Sequence, residues 1–287
     1  MEQKYVIKNC NSFEPRDIFE CGQCFRWNVC KDGSYTGVFG KNVLNVKKEK
    51  YNIYIDGECD GNIEKICKKY FDLDRNYESI KSRLSKIDYN LKESIEYGKG
   101  IRILNQDLWE VIISFIISAN NNIPRIKGII ERMSQKYGEE IVYNNKIYYT
   151  FPTPRELEKA SMQDLRALGV GFRDKYIYET TRLINDNIIN LNEISQLNNT
   201  SKMRSKLLTL PGVGPKVADC ILLFSTLSRF DVFPIDVWVR RVMNELYIHN
   251  PDEEKVDKKE IEKIAYEKFG DIQGVAQQYL FYWKRGI

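Results

Sequence analysis

The sequence is poor in histidine and in long apolar runs, and each shortage excludes a class of protein. His249 is the single histidine among 287 residues, so we do not expect a histidine general base, and lysine and aspartate become the candidate catalytic residues. No apolar run reaches the roughly 18 residues that a membrane-spanning helix needs. The segment 111–119 predicts a buried helix instead. The first residues lack the apolar core of a signal peptide, so we expect a cytoplasmic protein without a membrane partner.

Cysteine is present, but its spacing is typical neither of a disulfide framework nor of a metal centre. The seven cysteines are irregularly spaced, which indicates free thiols in a reducing compartment. Cys21 and Cys24 form a CxxC pair that runs into Phe-Arg-Trp, which predicts a strand, whereas a redox CxxC opens a helix. Zinc would need two further ligands. We therefore expect neither redox nor metal chemistry at this pair.

Hydrophobic periodicity divides the chain into two parts and predicts an α+β fold. Residues 1–100 form the first part, an antiparallel β-sheet domain with covering helices, and residues 101–287 form an all-helical domain. The predicted strands are 5–7, 24–27, 34–38, 43–46 and 51–55, covered by helices at 63–71 and 77–84. The predicted helices of the second part are 107–119, 123–137, 154–160, 173–185, 202–209, 215–227, 237–247, 257–268 and 273–284.

The run LPGVGPKVADC, from Leu210 to Cys220, predicts two helices joined by a tight turn, a hairpin at about 202–227. Gly212 and Gly214 allow the positive φ that such a turn needs. Free backbone N–H groups at Gly212, Val213, Gly214 and the start of the second helix form a site suited to one phosphate. The net charge of +4 is mild, and it fits a nucleic-acid partner without establishing one.

Lys216 and Asp236 each have an ordinary and a chemical interpretation. Lys216 can face phosphate as a simple charge, or it can act as an amine nucleophile if its surroundings are apolar. Asp236 predicts the N-cap of the helix that follows it. The same rigid carboxylate could also stabilise positive charge that develops at a sugar C1′ as a base leaves.

The run 210–220, taken with Phe-Pro-Ile-Asp at 233–236, resembles the hallmark of the helix-hairpin-helix, Gly/Pro…Asp superfamily of DNA glycosylases. In that superfamily the lysine marks bifunctional members, which cleave the glycosidic bond and then the strand. Four further segments resemble 8-oxoguanine DNA glycosylases of the eukaryotic type: GQCFRW at 22–27, NNNIPRI at 120–126, LGVGFR at 168–173 and GVAQQYLF at 274–281. The resemblance covers nearly the whole chain.

The resemblance implies a pocket for a flipped-out base. Cys220 and Phe281 would sandwich the base, Gln277 would read its Watson–Crick edge, and Gly22 would offer a backbone carbonyl. 8-Oxoguanine carries a proton on N7 where guanine has a lone pair, so that carbonyl gains a hydrogen bond only with the lesion. The implied 8-oxoguanine-binding set is Gly22, Cys220, Pro234, Asp236, Gln277 and Phe281.

The resemblance also implies a DNA-binding side. Asn120, Arg125 and Arg173 would bond the base left unpaired opposite the lesion, with a preference for cytosine. Phe172 would wedge into the base stack, as apolar side chains do in kinked duplexes. The family pattern has tyrosine at this position. Trp238 is a second departure, because eukaryotic members commonly show a histidine near the lesion phosphate there.

The implied activity is that of a bifunctional 8-oxoguanine glycosylase and AP lyase, monomeric on DNA, in the cytoplasm or, in a prokaryote, associated with the nucleoid. Lys216 would attack C1′, Asp236 would stabilise the transition state, and β-elimination through a Schiff base would nick the strand. We expect no organic cofactor, but a monovalent cation could bind hairpin carbonyls near 212–214. No cysteine follows Cys220, so the iron–sulfur ligand set of the endonuclease III group is absent. The alternatives are a lysine glycosylase for oxidised pyrimidines and a DNA-binding module without catalysis.

Overall fold

The computed structural model describes residues 2–286. The first part of the chain forms a five-stranded antiparallel sheet in the order β1-β5-β4-β3-β2. Its strands are β1 (Glu2–Ile7), β2 (Trp27–Val29), β3 (Tyr35–Phe39), β4 (Asn42–Glu49) and β5 (Asn52–Glu58). Side chains alternate along these strands, so one face packs on a core that includes Phe19, Trp27 and Phe71.

Helices dominate the remainder of the chain, and together with the sheet they confirm the predicted α+β class. The helices are α1 (Pro15–Phe19), α2 (Ile63–Tyr70), α3 (Tyr77–Leu84), α4 (Tyr89–Tyr97), α5 (Leu108–Ser118), α6 (Ile123–Tyr137), α7 (Pro154–Leu157), α8 (Met162–Ala167), α9 (Asp174–Asn185), α10 (Leu191–Gln196), α11 (Thr200–Leu207), α12 (Pro215–Phe224), α13 (Val237–Met243), α14 (Lys258–Phe269) and α15 (Gln273–Gly286). In residues 2–286, none of the helices has both the length and the apolar character that a bilayer span requires.

Several sequence predictions about local structure have wrong boundaries; the helix expected at 154–160, for example, ends at Leu157. The strand expected at 24–27 begins only at Trp27, because Gln23 holds the preceding segment by side-chain bonds rather than through a strand ladder. The helices expected at 215–227 and 237–247 end earlier, at Phe224 and Met243. After Met243 the chain continues as a wider helical turn over Asn244–Ile248.

A hairpin also interrupts the helical part, which the periodicity did not predict. Its strands are β6 (Glu140–Tyr143) and β7 (Lys146–Tyr149). Asn144 and Asn145 both have positive φ at the turn, which matches the two-residue turns that suit a hairpin. Tyr143 packs with Val38 and Val43 of the sheet, so the hairpin joins the two parts of the molecule.

The main hydrophobic core is built around α5, whose side chains are almost all buried. It also takes in Leu84 from the helix expected to cover the sheet at 77–84, Leu91 from α4, and Cys21 and Phe25 from the loop before β2. That loop therefore reaches out of the sheet and into the helical part. This placement brings Gly22 to the junction of the two parts.

Candidate active site

The turn between α11 and α12 has the predicted positive φ at Gly212 but not at Gly214, whose φ is −88°. Gly212 has φ +81°, and a Cβ there would lie 2.8 Å from the Cβ of Tyr176, so a larger residue would clash. Gly214 is the N-cap of α12 and offers no side-chain cap to the first N–H groups of the helix. The N–H groups of Lys216 and Val217 thus remain available to an external acceptor. Val213 is buried, so it can present only its backbone to DNA.

Lys216 lies in the first turn of α12, where that helix packs against α5. Its Nζ is 5.4 Å from the ring centroid of Phe115. Phe115 in turn stacks on Phe224, with ring centroids 5.6 Å apart. The Lys216 side chain is partly buried and borders the ring of Phe115.

Cys220 follows Lys216 by one helical turn and shares its face of α12. Its side chain is 3% exposed. Burial raises the pKa of the Cys220 thiol to about 11, with Lys216 acting to lower it and the charges of Asp219 and Asp236 acting to raise it. The thiol therefore lies within the electrostatic reach of both Lys216 and Asp236, which brings the three side chains to one place.

Asp236 is the N-cap of α13, and its carboxylate accepts the N–H of Val239 at 2.7 Å. The preceding residues, including Pro234, are buried and lead the chain rigidly to the cap. The carboxylate has a second oxygen that remains for another partner. The capping and the chemical interpretations are thus compatible.

Helix α15 carries Gln277 and Phe281 on one face, again one turn apart. Gln277 is 5% exposed, and its Oε1 makes no hydrogen bond within the described residues. A buried acceptor without a partner is costly, so this oxygen is available to a donor that enters the site. Phe281 is half-buried beside it.

The start of α15 is docked on the segment that leads to Asp236. The N–H of Gly274 donates to the carbonyl of Phe230 at 2.8 Å, and Gln273 Nε2 donates to the carbonyl of Asp231 at 2.8 Å. This docking fixes the position of Gln277 relative to Pro234 and Asp236.

Gly22 meets Phe281 at the other end of this face. Gly22 has φ +88°, and a Cβ there would lie 3.4 Å from Phe281 Cε1. The loop is held on both sides, since Gln278 Nε2 donates to the Cys21 carbonyl at 2.6 Å and Gln23 Nε2 donates to the Arg102 carbonyl at 2.8 Å. The backbone at Gly22 is therefore positioned before any ligand binds.

The CxxC pair has a structural place in this loop. The Cys21 thiol lies 3.3 Å from the Ile18 carbonyl, and the Cys24 thiol lies 3.8 Å from that of Phe19. Burial raises the pKa of both thiols, that of Cys21 to about 12. Within residues 2–286, no group of three or more side chains is arranged to hold a metal.

The residues expected on the DNA side divide into exposed and buried ones. Asn120 and Arg125 are exposed, and Phe172 is 59% exposed although the Arg173 guanidinium lies 4.3 Å from its ring centroid. Arg173 is only 3% exposed, and its guanidinium donates to the carbonyls of Ala119, Asn120 and Val170. Arg173 thus braces the loop that carries Asn120. Trp238 is 38% exposed in the first turn of α13, where it presents no charge.

Sequence reasoning missed three residues that shape the site. Gln23 and Gln278 hold the Gly22 loop, and the repeated glutamines of the motifs at 22–27 and 274–281 were the available signal. Arg285 lies near Gly22 and Phe281. No pattern marks Arg285, since it is one of several charges at the end of the chain.

Family models and solved structures match this chain over nearly its full length. The model for the N-terminal domain of 8-oxoguanine DNA glycosylases matches residues 5–112, and the model for HhH-GPD superfamily base excision DNA repair proteins matches residues 113–269.

The relatives fall into the same group. A Clostridium acetobutylicum 8-oxoguanine glycosylase/lyase, solved with double-stranded DNA containing cytosine opposite 8-oxoG, is 42% identical, covers 100% of this chain and 98% of its own, and superposes with a TM-score of 0.93. The structure of MBOgg1 with a low-affinity DNA ligand is 45% identical over 99% of this chain and 96% of its own, with a TM-score of 0.93. A probable N-glycosylase/DNA lyase of Methanothermobacter thermautotrophicus is 35% identical over 231 residues, 74% of this chain and 71% of that protein. The chain therefore belongs to the HhH-GPD superfamily of base excision DNA repair proteins and, within it, to the 8-oxoguanine DNA glycosylases.

Proposed function

We propose that this protein removes 8-oxoguanine from duplex DNA and then cleaves the strand, with Lys216 as nucleophile and Asp236 as electrostatic partner. The observation that carries the proposal is the meeting of Lys216, Cys220 and Asp236 beside the aromatic wall of Phe115. The family membership supplies the reaction class, a glycosylase with lyase activity.

The chemical steps follow from those positions. The lone pair of Lys216 Nζ forms a bond to C1′ while the glycosidic bond breaks. The electron pair of the broken bond leaves with the base. The carboxylate of Asp236 stabilises the positive charge that develops on the sugar. Opening of the sugar gives a Schiff base, which acidifies the C2′ protons. Loss of one proton expels the 3′ phosphate and nicks the strand.

Selectivity would come from two acceptors in the pocket, the side-chain oxygen of Gln277 and the backbone carbonyl of Gly22. Gln277 Oε1 lacks a partner in the described chain, and the Watson–Crick edge of a guanine-type base offers N–H donors. The carbonyl of Gly22 would accept the N7 proton that only the oxidised base carries. Guanine would place a lone pair against that carbonyl, which costs about 1–3 kcal/mol for an unsatisfied polar group.

The remaining expectations concern the DNA. The hairpin would bind one phosphate and Phe172 would fill the gap in the stack, while Asn120 and Arg125 would contact the opposite base. Cytosine is the opposite base we propose, supported by the DNA in the Clostridium acetobutylicum complex. A monovalent cation at the hairpin carbonyls, a monomeric state and a location with the DNA of the cell stay predictions.

The test is covalent trapping with borohydride on duplexes that contain 8-oxoguanine, thymine glycol or unmodified guanine. We expect wild-type protein to form an adduct only with 8-oxoguanine, and Lys216→Gln to form none. Lys263→Gln removes an equal charge from the exposed face of α14, and it should trap like wild type.

The other outcomes identify the alternatives. Trapping on thymine glycol would assign the protein to oxidised pyrimidines, although no cysteine follows Cys220 to hold the cluster of the endonuclease III group. Intact DNA binding with no adduct on any duplex would leave a binding module without a nucleophile and would reject the proposed activity.

A further inference from the structure

Arg285, near the end of α15, lies at the rim of the base pocket. Its Nη1 is 3.2 Å from the point that a Cβ on Gly22 would occupy, and its Cζ is 5.7 Å from the ring centroid of Phe281. Gly22 and Phe281 both belong to the site described above. The guanidinium therefore borders the space that a flipped base enters.

In the described part of the chain, the charge of Arg285 has no acidic partner, although its guanidinium lies over the ring of Phe281. Within residues 2–286 its guanidinium makes no hydrogen bond or ion pair, although it has five N–H donors. The neighbouring Lys284 is different, because its Nζ is bound to Glu245 at 2.6 Å. Arg285 is also exposed, so it needs no protein partner and remains available to a ligand.

The ligand that fits this cation is the flipped nucleotide itself. A base that enters between Cys220 and Phe281 carries carbonyl oxygens past Gly22, and it draws the phosphates on either side of its sugar to the mouth of the pocket. Guanidinium groups bind both kinds of acceptor well. Trp238, which stands where eukaryotic members commonly show a histidine near the lesion phosphate, supplies no cation for either one.

We propose that Arg285 is a substrate-binding residue that donates hydrogen bonds to an acceptor oxygen of the flipped nucleotide, at the phosphate or at the base. The inference rests on the proposed function for the nature of the ligand. Arg285 would add a substrate contact beside Phe281, and it lies outside all of the motifs.

The experiment compares Arg285→Gln, Arg285→Lys and the matched control Arg155→Gln, which removes an exposed arginine from α7. Single-turnover rates at subsaturating protein are measured on duplexes with 8-oxoguanine and with an abasic site. We expect Arg285→Gln to lower the rate on 8-oxoguanine at least fivefold, Arg285→Lys to restore part of it, and Arg155→Gln to leave it unchanged. A loss on both duplexes assigns the contact to phosphate, and a loss on 8-oxoguanine alone assigns it to the base.

Rates of Arg285→Gln equal to those of the control would overturn the inference, and so would faster excision, because the side chain would then only obstruct the pocket. Binding separates this result from the proposed chemistry. Titration of the 8-oxoguanine duplex in a Lys216→Gln background should show at least fivefold weaker binding when Arg285→Gln is added. That weakening would support Arg285 even if wild-type protein formed no borohydride adduct.

Discussion

The proposed base pocket has a floor, which includes Cys220 and Gln277, and a rim on the DNA side, which includes Asn120 and Phe172. The two differ in how far the protein buries their side chains. Cys220 and Gln277 lie on the long helices α12 and α15 and are 3% and 5% exposed. Asn120 and Phe172 lie at loop positions on the DNA side and are exposed. The floor residues are thus packed in place before substrate binds, whereas the rim residues are exposed in the free protein. In the proposed site, recognition of the base would depend on preformed geometry, and capture of the duplex would depend on exposed groups.

Among the variants that test this comparison, Gly22→Ala in the base pocket should cause the largest loss of excision activity. Gly22 has φ +88°. A Cβ at this position would lie 3.4 Å from Phe281 Cε1 and 3.2 Å from Arg285 Nη1. We expect excision of 8-oxoguanine to fall by up to about 100-fold, because a methyl group on the wall of the proposed pocket would displace the base by about an ångström. Single-turnover excision measures the loss.

Gly33→Ala is the matched control for Gly22→Ala. Gly33 has φ +82°, and a Cβ there meets no atom within 4 Å. Both variants carry similar backbone strain, and thermal melting should show a similar loss of stability in each. If Gly33→Ala lost as much excision activity as Gly22→Ala, the effect would be general strain rather than an obstructed pocket.

A smaller effect is expected at the rim from Phe172→Ala. The exposed ring contacts Tyr176 edge to face, with centroids 6.4 Å apart, so its removal should leave the fold intact. We expect excision from a paired 8-oxoguanine duplex to fall about 10-fold, because the gap left by the flipped base is no longer filled. Cleavage at an abasic site should change less.

The exposed Tyr89, on α4, provides the control for Phe172. Tyr89→Ala removes a comparable aromatic ring away from the proposed DNA side and should not alter excision. Equal losses on paired 8-oxoguanine and on the abasic duplex would mean that Phe172 contributes to general DNA binding and not to the stack.

The smallest effect on activity is expected from Glu110→Gln in α5. Glu110 is 9% exposed in the first turn of α5, and burial raises its pKa from 4.5 to about 7 against the lowering influence of Arg26. The folded state therefore holds the proton of Glu110 more tightly than the unfolded state does, so the contribution of this group to stability is greatest below pH 4.5 and is lost as pH rises towards 7. The fall amounts to roughly 2–3 kcal/mol.

Glutamine cannot ionise, so Glu110→Gln should lose this component of the pH dependence while it keeps wild-type excision at neutral pH. Denaturant unfolding at pH 5 and pH 7.5 measures the difference. Glu96→Gln on the exposed side of α4 is the control and should retain the wild-type trend. A wild-type trend in Glu110→Gln as well would show that Glu110 does not titrate as described.

Much of the fold and of the floor could be predicted from the sequence, because local rules decide them. The spacing of Lys216 and Cys220, and of Gln277 and Phe281, places each pair on one helix face, and the structure agrees. The N-cap at Asp236 and the positive φ at Gly212 also follow from the residue types alone.

The rest depends on contacts between distant segments, which a single sequence does not record. The burial of Arg173 results from carbonyls at Ala119 and Asn120, more than fifty positions earlier. The β6–β7 hairpin left a signal in its two asparagines, but the short strands were hidden among helical periodicity. The site residues themselves stay predictions until the variants are measured.

The raised pKa of Cys220 has a consequence for survival under oxidative stress. With a pKa of about 11, only about one thiol in ten thousand is ionised at neutral pH. Peroxides attack the thiolate and scarcely react with the thiol. The sulfur atom that we propose to face the oxidised base would thus be protected from the class of oxidants that produces the damage, and the enzyme would keep working while its substrate accumulates.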